Sequence, residues 1–202
     1  MKKNFSAISA DALETVVALF GDSSGVVDVL TDECYSTTVL ATGDTKFNPF
    51  SRGLNALGNN LSLTNMEEGN KVTSNQMWAY HGLAVEVTSD GVLTDANLAL
   101  LKQFMHDTVI TFKVNTYQKF QMPLSRIAGS VFNVQSEGTV GSTNDNSNFT
   151  GYFDFRENPF KLGEQTSFTV DADVFTAGGV PAGLDGLKIR LVWDRTLVKL
   201  AM

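Results

Sequence analysis

The chain has 202 residues, 43% of them hydrophobic, which is enough for one substantial domain with its own core and short for two. Charged residues make up 18%, below the roughly 25% of an average soluble domain, so much of the surface is expected to be neutral or covered by neighbours. A net charge of -7, with Lys2 and Lys3 as the one early basic pair, argues against a broad electrostatic grip on nucleic-acid phosphates.

The opening reads as a helix. Leu13, Val16, Val17 and Phe20 recur at i, i+3, i+4 and i+7, Asp11 and Glu14 are spaced like a capping box, and Gly21 is placed to end it. From Val26 to about Gly58 the pattern weakens into short apolar pieces, with "FNPFSRGLNALGNN" reading as a long ordered loop. The segment 31–60 is expected to act as an arm exchanged with a neighbour, because unstructured connections beyond about 12 to 15 residues are usually functional or disordered.

After Leu61 the period changes to two. Leu83, Val85 and Val87 alternate with Ala84, Glu86 and Thr88, and Asp90-Gly91 signals the turn. "LTDANLALLKQFMHD" is a second helix, with Thr94 or Asp95 as cap and Leu98, Leu101 and Met105 on one stripe beside Phe104. Strands follow: Ile110, Phe112 and Val114 alternate, and "TYQKFQM" runs to Pro123, which breaks it. Gln135 to Asn148 is polar enough to be a loop. Phe168, Val170, Ala172 and Val174 then face inward against Ser167, Thr169, Asp171 and Asp173, and the last strand places Leu187, Ile189, Leu191 and Trp193 inward. Eight or more half-buried strands with long connections predict a mainly β protein, an antiparallel jelly-roll barrel or sandwich with one or two short helices. The expected division is an N-terminal helix and extended arm over 1–60 and a single barrel over 61–202.

Few residues suggest chemistry. "GDSSG" at 21–25 fits the nucleophile-elbow pattern, but an elbow needs a strand before Ser23 and a helix after it, and the sequence offers the reverse. A helix-ending turn is the expectation. His81 and His106 have no partner at metal-ligand spacing and are read as structural, His106 complementing the end of the second helix. Asp171 and Asp173 share a strand face and could pair as carboxylates, yet Ser167 and Thr169 continue the same polar row, so a solvated or subunit-facing wall is favoured. "NDNSN" at 144–148 lacks the glycine and glutamate of a calcium loop. The single cysteine, Cys34, excludes an intrachain disulfide and a cysteine zinc cluster. No catalytic, metal or cofactor-binding residue is assigned, no cofactor is expected, and the subunit-facing residues are left unassigned. Without an apolar leader before Asp11 or a run of about 18 apolar residues, a soluble protein made in the cytoplasm is expected, and the sequons at Asn4, Asn60 and Asn148 carry no weight.

By "LSLTNMEEGNKVTSNQMWAYHGLAVEV" and "TFKVNTYQKFQMPLSRI", followed by "ENPFKLGEQTSFTVDADVF" and "LKIRLVWDR", residues 61–195 resemble the jelly-roll major capsid proteins of tailless icosahedral bacteriophages, the lipid-containing and single-stranded DNA phages being nearest. The resemblance implies a structural virion protein, not an enzyme. It would self-assemble into homo-oligomeric capsomers of an icosahedral shell, with other capsid proteins as partners, an underlying membrane as a further one, and no sequence-specific nucleic-acid binding. Members of that lineage often carry two barrels per chain, and this chain has room for one. The alternatives are a carbohydrate-binding jelly-roll module using Trp78, Tyr80 and Tyr152 as an aromatic platform, a minor capsid or spike component, and a hydrolase built on Ser23.

Overall fold

The computed structural model describes residues 9–57, 60–89, 93–128 and 149–201. Lys2, Lys3, the Asp90-Gly91 turn and the 135–148 loop with its "NDNSN" lie outside them. Among the described residues nine strands form two antiparallel sheets, and three short α-helices accompany them where the sequence suggests one or two.

The first sheet contains β1 (Val26–Val39), β3 (Gln76–Thr88), β6 (Phe149–Asp154), β7 (Phe160–Leu162) and β9 (Lys188–Leu200), ordered β1-β9-β3-β6, with β7 following β6 along the same edge of β3. The second contains β2 (Lys46–Phe47), β4 (Thr108–Val114), β5 (Tyr117–Pro123) and β8 (Phe168–Val174), ordered β2-β8-β4-β5. The chain passes between sheets at every connection except the β4–β5 hairpin and the β6–β7 step. Helix α1 (Ala10–Phe20) precedes β1, α2 (Asp95–Asp107) crosses from β3 to β4, and α3 (Leu124–Ala128) follows β5. Leu98, Leu101, Phe104 and Met105 of α2 and Leu124 and Ile127 of α3 are buried together against the sandwich.

The core is aromatic. Phe112 of β4 has Trp193 of β9 at 5.1 Å, Phe120 at 5.4 Å, Phe160 at 5.5 Å and Tyr80 of β3 at 6.3 Å between ring centroids, so one side chain bridges both sheets. Trp78 reaches Phe168 of β8 at 6.1 Å in edge-to-face geometry. Of the inward positions read from the alternation, Ile110, Phe112, Phe168, Val170, Ala172, Ile189, Leu191 and Trp193 are each at most 1% exposed and Val174 and Leu187 are buried too, while Val114, at the end of β4, is only half-buried.

The structure departs from the sequence reading in three places. The first is β3, which begins well before Leu83 and carries a bulge: Tyr80 pairs with Arg195 and Gly82 with Asp194, leaving His81 as the extra residue. The bulge shifts the alternation by one, so Trp78 and Tyr80 face inward along with Leu83, Val85 and Val87. The Tyr152 ring of β6 fills the space that a Cβ on Gly82 would occupy.

The second is β1, a strand of 14 residues on the N-terminal side of the expected boundary at 60/61 and paired with β9 from Val26 to Val39. Residues 31–39 are therefore bound within the chain's own sheet and are not an exchanged arm. Its alternation is hidden in sequence because the inward positions after Leu30 are Asp32, Cys34 and Ser36, of which only Cys34 is apolar. The third departure is small: Ser9, not Asp11, caps α1, its Oγ accepting the Ala12 N–H at 3.2 Å, while Gly21 at φ 82° ends the helix as expected. On α2 the cap is Thr94.

Truncating Phe112 to alanine is expected to cost about 3–5 kcal/mol, because its ring is buried at the junction of both sheets. Urea unfolding followed by tryptophan fluorescence measures this, with Trp193 beside the cavity as the reporter.

Candidate functional surfaces

Asn65, Met66, Glu67 and Thr73, with residues of β1, β3 and β9, enclose a cleft of about 240 Å³. Its walls include Leu30, Asp32, Glu67 and Thr73, and its floor Trp78 and Arg195. Arg195 follows Trp193 by two residues on β9 and so must also point inward. Its guanidinium lies 4.3 Å above the Trp78 ring and donates from Nε (2.6 Å) and Nη2 (3.2 Å) to the two carboxylate oxygens of Asp32, its register partner on β1. The Arg195 side chain is 8% exposed and that of Asp32 38%, so the pair runs from the interior to the cleft mouth. A bidentate fork stacked on an indole is the geometry in which a buried arginine is tolerated.

Cys34 lies one pleat further along β1, fully buried beside the Tyr80 hydroxyl. Burial pushes the thiol up to about 12, only partly offset by the nearby Arg195 charge, and burial likewise drives the Tyr80 phenol well above its ordinary value. Neither ionises near neutral pH. Tyr80 Oη and Trp193 Nε1 have no hydrogen-bond partner among the described residues.

On the outer face of the second sheet, Asp171 is more buried than a solvated wall requires, at 8%. It accepts from Asn48 Nδ2 at 2.7 Å and Lys113 Nζ at 3.0 Å, and Lys46 bridges it (3.8 Å) to Asp173 (3.7 Å). Asp171 and Asp173 thus meet lysines of their own chain, on the flanking strands β2 and β4. Each carboxylate has a lysine ammonium within 4 Å, an arrangement that ties neighbouring strands together. The outer face of the first sheet carries a comparable clamp. Arg190 lies 4.8 Å over Tyr35 and donates to Thr37 Oγ1 and the Ser62 carbonyl, both at 3.0 Å, while the Thr37 N–H donates to Leu63 and Asn65 bonds the backbones of Glu33 and Tyr35. Residues 61–65 are thereby held along the edge of β1.

The remaining candidates are dispersed. Ser23 sits in the turn between α1 and β1, its carbonyl accepting the Val26 N–H. The hydroxyl engaged there belongs to Ser24, which donates to Asp22 Oδ1 at 2.7 Å and holds that carboxyl below its ordinary value. His81 Nε2 is 2.8 Å from Thr196 Oγ1 at the bulge, and His106 is exposed in the last turn of α2. Of the aromatic platform, Trp78 and Tyr80 are buried in the core, and Tyr152 alone is exposed, its hydroxyl donating to Asp194 at 3.1 Å. Sequence reasoning missed Asp32, Arg195, Lys46 and Lys113. The legible signal for Arg195 was its parity with Trp193.

Among the described residues no group of three or more acidic, histidine or cysteine side chains is placed to hold a metal ion. No helix among them is long and apolar enough to cross a membrane. The chain matches no protein-family model and no curated protein sequence.

Asp32→Ala strands the Arg195 charge and is expected to destabilise by about 2–4 kcal/mol, whereas Asp28→Ala, which breaks the exposed pair with Lys199, should cost less than about 1 kcal/mol. Denaturant midpoints of the two variants test the ordering. Cys34 should remain unmodified by a thiol reagent at pH 8 in the native protein and react fully once it is unfolded in urea.

Proposed function

We propose that the protein is a shell-forming structural subunit, a single-barrel major capsid protein of a tailless icosahedral phage, and that its sandwich is a jelly roll. The observation that carries the reading is strand order. With β6 and β7 counted as one interrupted strand, eight strands form two four-stranded sheets ordered 1-9-3-6/7 and 2-8-4-5, and the chain alternates between them as two interleaved Greek keys require. That order joins the resemblance over 61–195, which rests on the same succession of strands and turns.

A jelly roll hosts many functions, so the surface has to support the choice. Asp171, Asp173, Asp32, Glu86 and Asp28 face cations on neighbouring strands. Charged residues are 18% of the chain, a low share that suits interface cores, where charge is depleted. Burial of Trp78 and Tyr80 leaves the carbohydrate-binding alternative without its platform.

Negative-stain microscopy with light scattering on the purified protein, across protein concentration and salt, tests the reading. Closed shells or symmetric capsomers are the expected outcome. A monodisperse monomer throughout would reject it.

A further inference from the structure

In the second sheet β8 lies between β2 and β4, so Asn48, the residue after β2, and Lys113 of β4 flank Asp171 of β8 from its two sides. The β2 register, Lys46 with Asp173 and Phe47 with Ala172, continues by one residue to set Asn48 opposite Asp171. On the other side Thr111 is the partner of Asp171, which puts Lys113 on the diagonal, two residues along and on the same outer face. Two strand spacings, about 10 Å, separate β2 from β4, and the lysine side chain leans over β8 to span part of that distance.

Both carboxylate oxygens are used. Asn48 Nδ2 donates to Oδ1 at 2.7 Å and Lys113 Nζ to Oδ2 at 3.0 Å. Asp171 is 8% exposed and Thr111 beside it 4%, so these oxygens are given over to protein groups. Lys46 makes a different kind of contact: its Nζ is 3.8 Å from Asp171 and 3.7 Å from Asp173, beyond hydrogen-bond length, and its side chain is 50% exposed. An ion pair needs only the cation. An amine and a carboxamide held on one buried carboxylate are the reactants of an amide exchange, nucleophile and electrophile placed beside a shared proton carrier.

We infer that Lys113 and Asn48 join in an intramolecular isopeptide bond, with Asp171 as the catalytic residue. Asp171 takes a proton from the Lys113 ammonium, and the freed lone pair of Nζ attacks Asn48 Cγ. The Nζ–Cγ bond forms and the Cγ–Nδ2 bond breaks. Nδ2 leaves with that bonding pair and, by way of Asp171, with the two protons that Nζ gives up, as ammonium. Nothing is oxidised or reduced, and no co-reactant is consumed. Asp171 ends as the carboxylate it began as, and Lys46 remains beside it once the Lys113 charge is spent. The new bond closes a covalent loop from Asn48 to Lys113 and ties the segment after β2 to β4 across β8. It needs only the folded chain and does not rest on the shell reading.

Intact-mass spectrometry of the folded full-length chain, repeated until the mass is constant, provides the test. The mass should fall below the sequence value by one ammonia, and peptide mapping should find a branched peptide joined at Asn48 and Lys113. Chain kept in urea should hold the sequence mass and lose ammonia only after refolding. Lys113→Arg keeps a cation for Asp171, but a guanidinium does not give up its proton, so this variant should fold by circular dichroism and retain the full mass. Asp171→Asn keeps the side chain's size without its proton-carrying carboxylate and should slow the loss of ammonia by about a hundredfold or more. Should Asp171→Asn misfold, the comparison with Lys113→Arg decides alone. A folded chain that keeps its sequence mass overturns the proposal, as does a loss of ammonia that maps to another pair or persists in Lys113→Arg.

Discussion

The bulge at His81 sets the rest of the sandwich. β3 and β9 lie side by side in the middle of the first sheet, and without one extra residue the inward set of β3 would change face halfway along. With it, Trp78 and Tyr80 join Leu83, Val85 and Val87 over the second sheet, and Phe112 and Phe168 find aromatic partners on the opposite wall. β9 has no matching bulge and keeps one parity from Ile189 to Leu197. That parity sends Arg195 inward.

A guanidinium between two sheets is tolerated only if its donors and charge are answered, and the answer comes from both neighbouring strands. Trp78 on β3 supplies the ring face and Asp32 on β1 the carboxylate. The residue that satisfies Arg195 is therefore also the one that gives β1 a polar inner position, at the cleft that Asn65, Met66, Glu67 and Thr73 help to line. One packing decision on β3 thus propagates through a charge pair to the form of the edge strand.

This chain of dependence explains which parts of the molecule were legible. β4, β8 and β9 bury one face and wet the other, and α2 presents a clean stripe, so period alone reveals them. β1 could not be read that way, because Asp32 and Ser36 occupy inward positions for reasons that lie on β9 and at Phe50, whose N–H donates to Ser36 Oγ. Trp78 and Tyr80 could stand as platform candidates for the carbohydrate-binding alternative because a bulge has no sequence signature beyond Gly82. The charge clusters were missed for a related reason: Lys46, Lys113 and Asp171 lie on three strands, and only pairing brings them to one face.

Within each sheet the ion pairs do similar work. Lys46, Asp171 and Lys113 tie β2, β8 and β4 together across the second sheet, while Arg195–Asp32 and Lys199–Asp28 tie β9 to β1 in the first. Such pairs add little stability where they are exposed, but like charges placed opposite would oppose any slipped register, so they fix alignment more than they add strength.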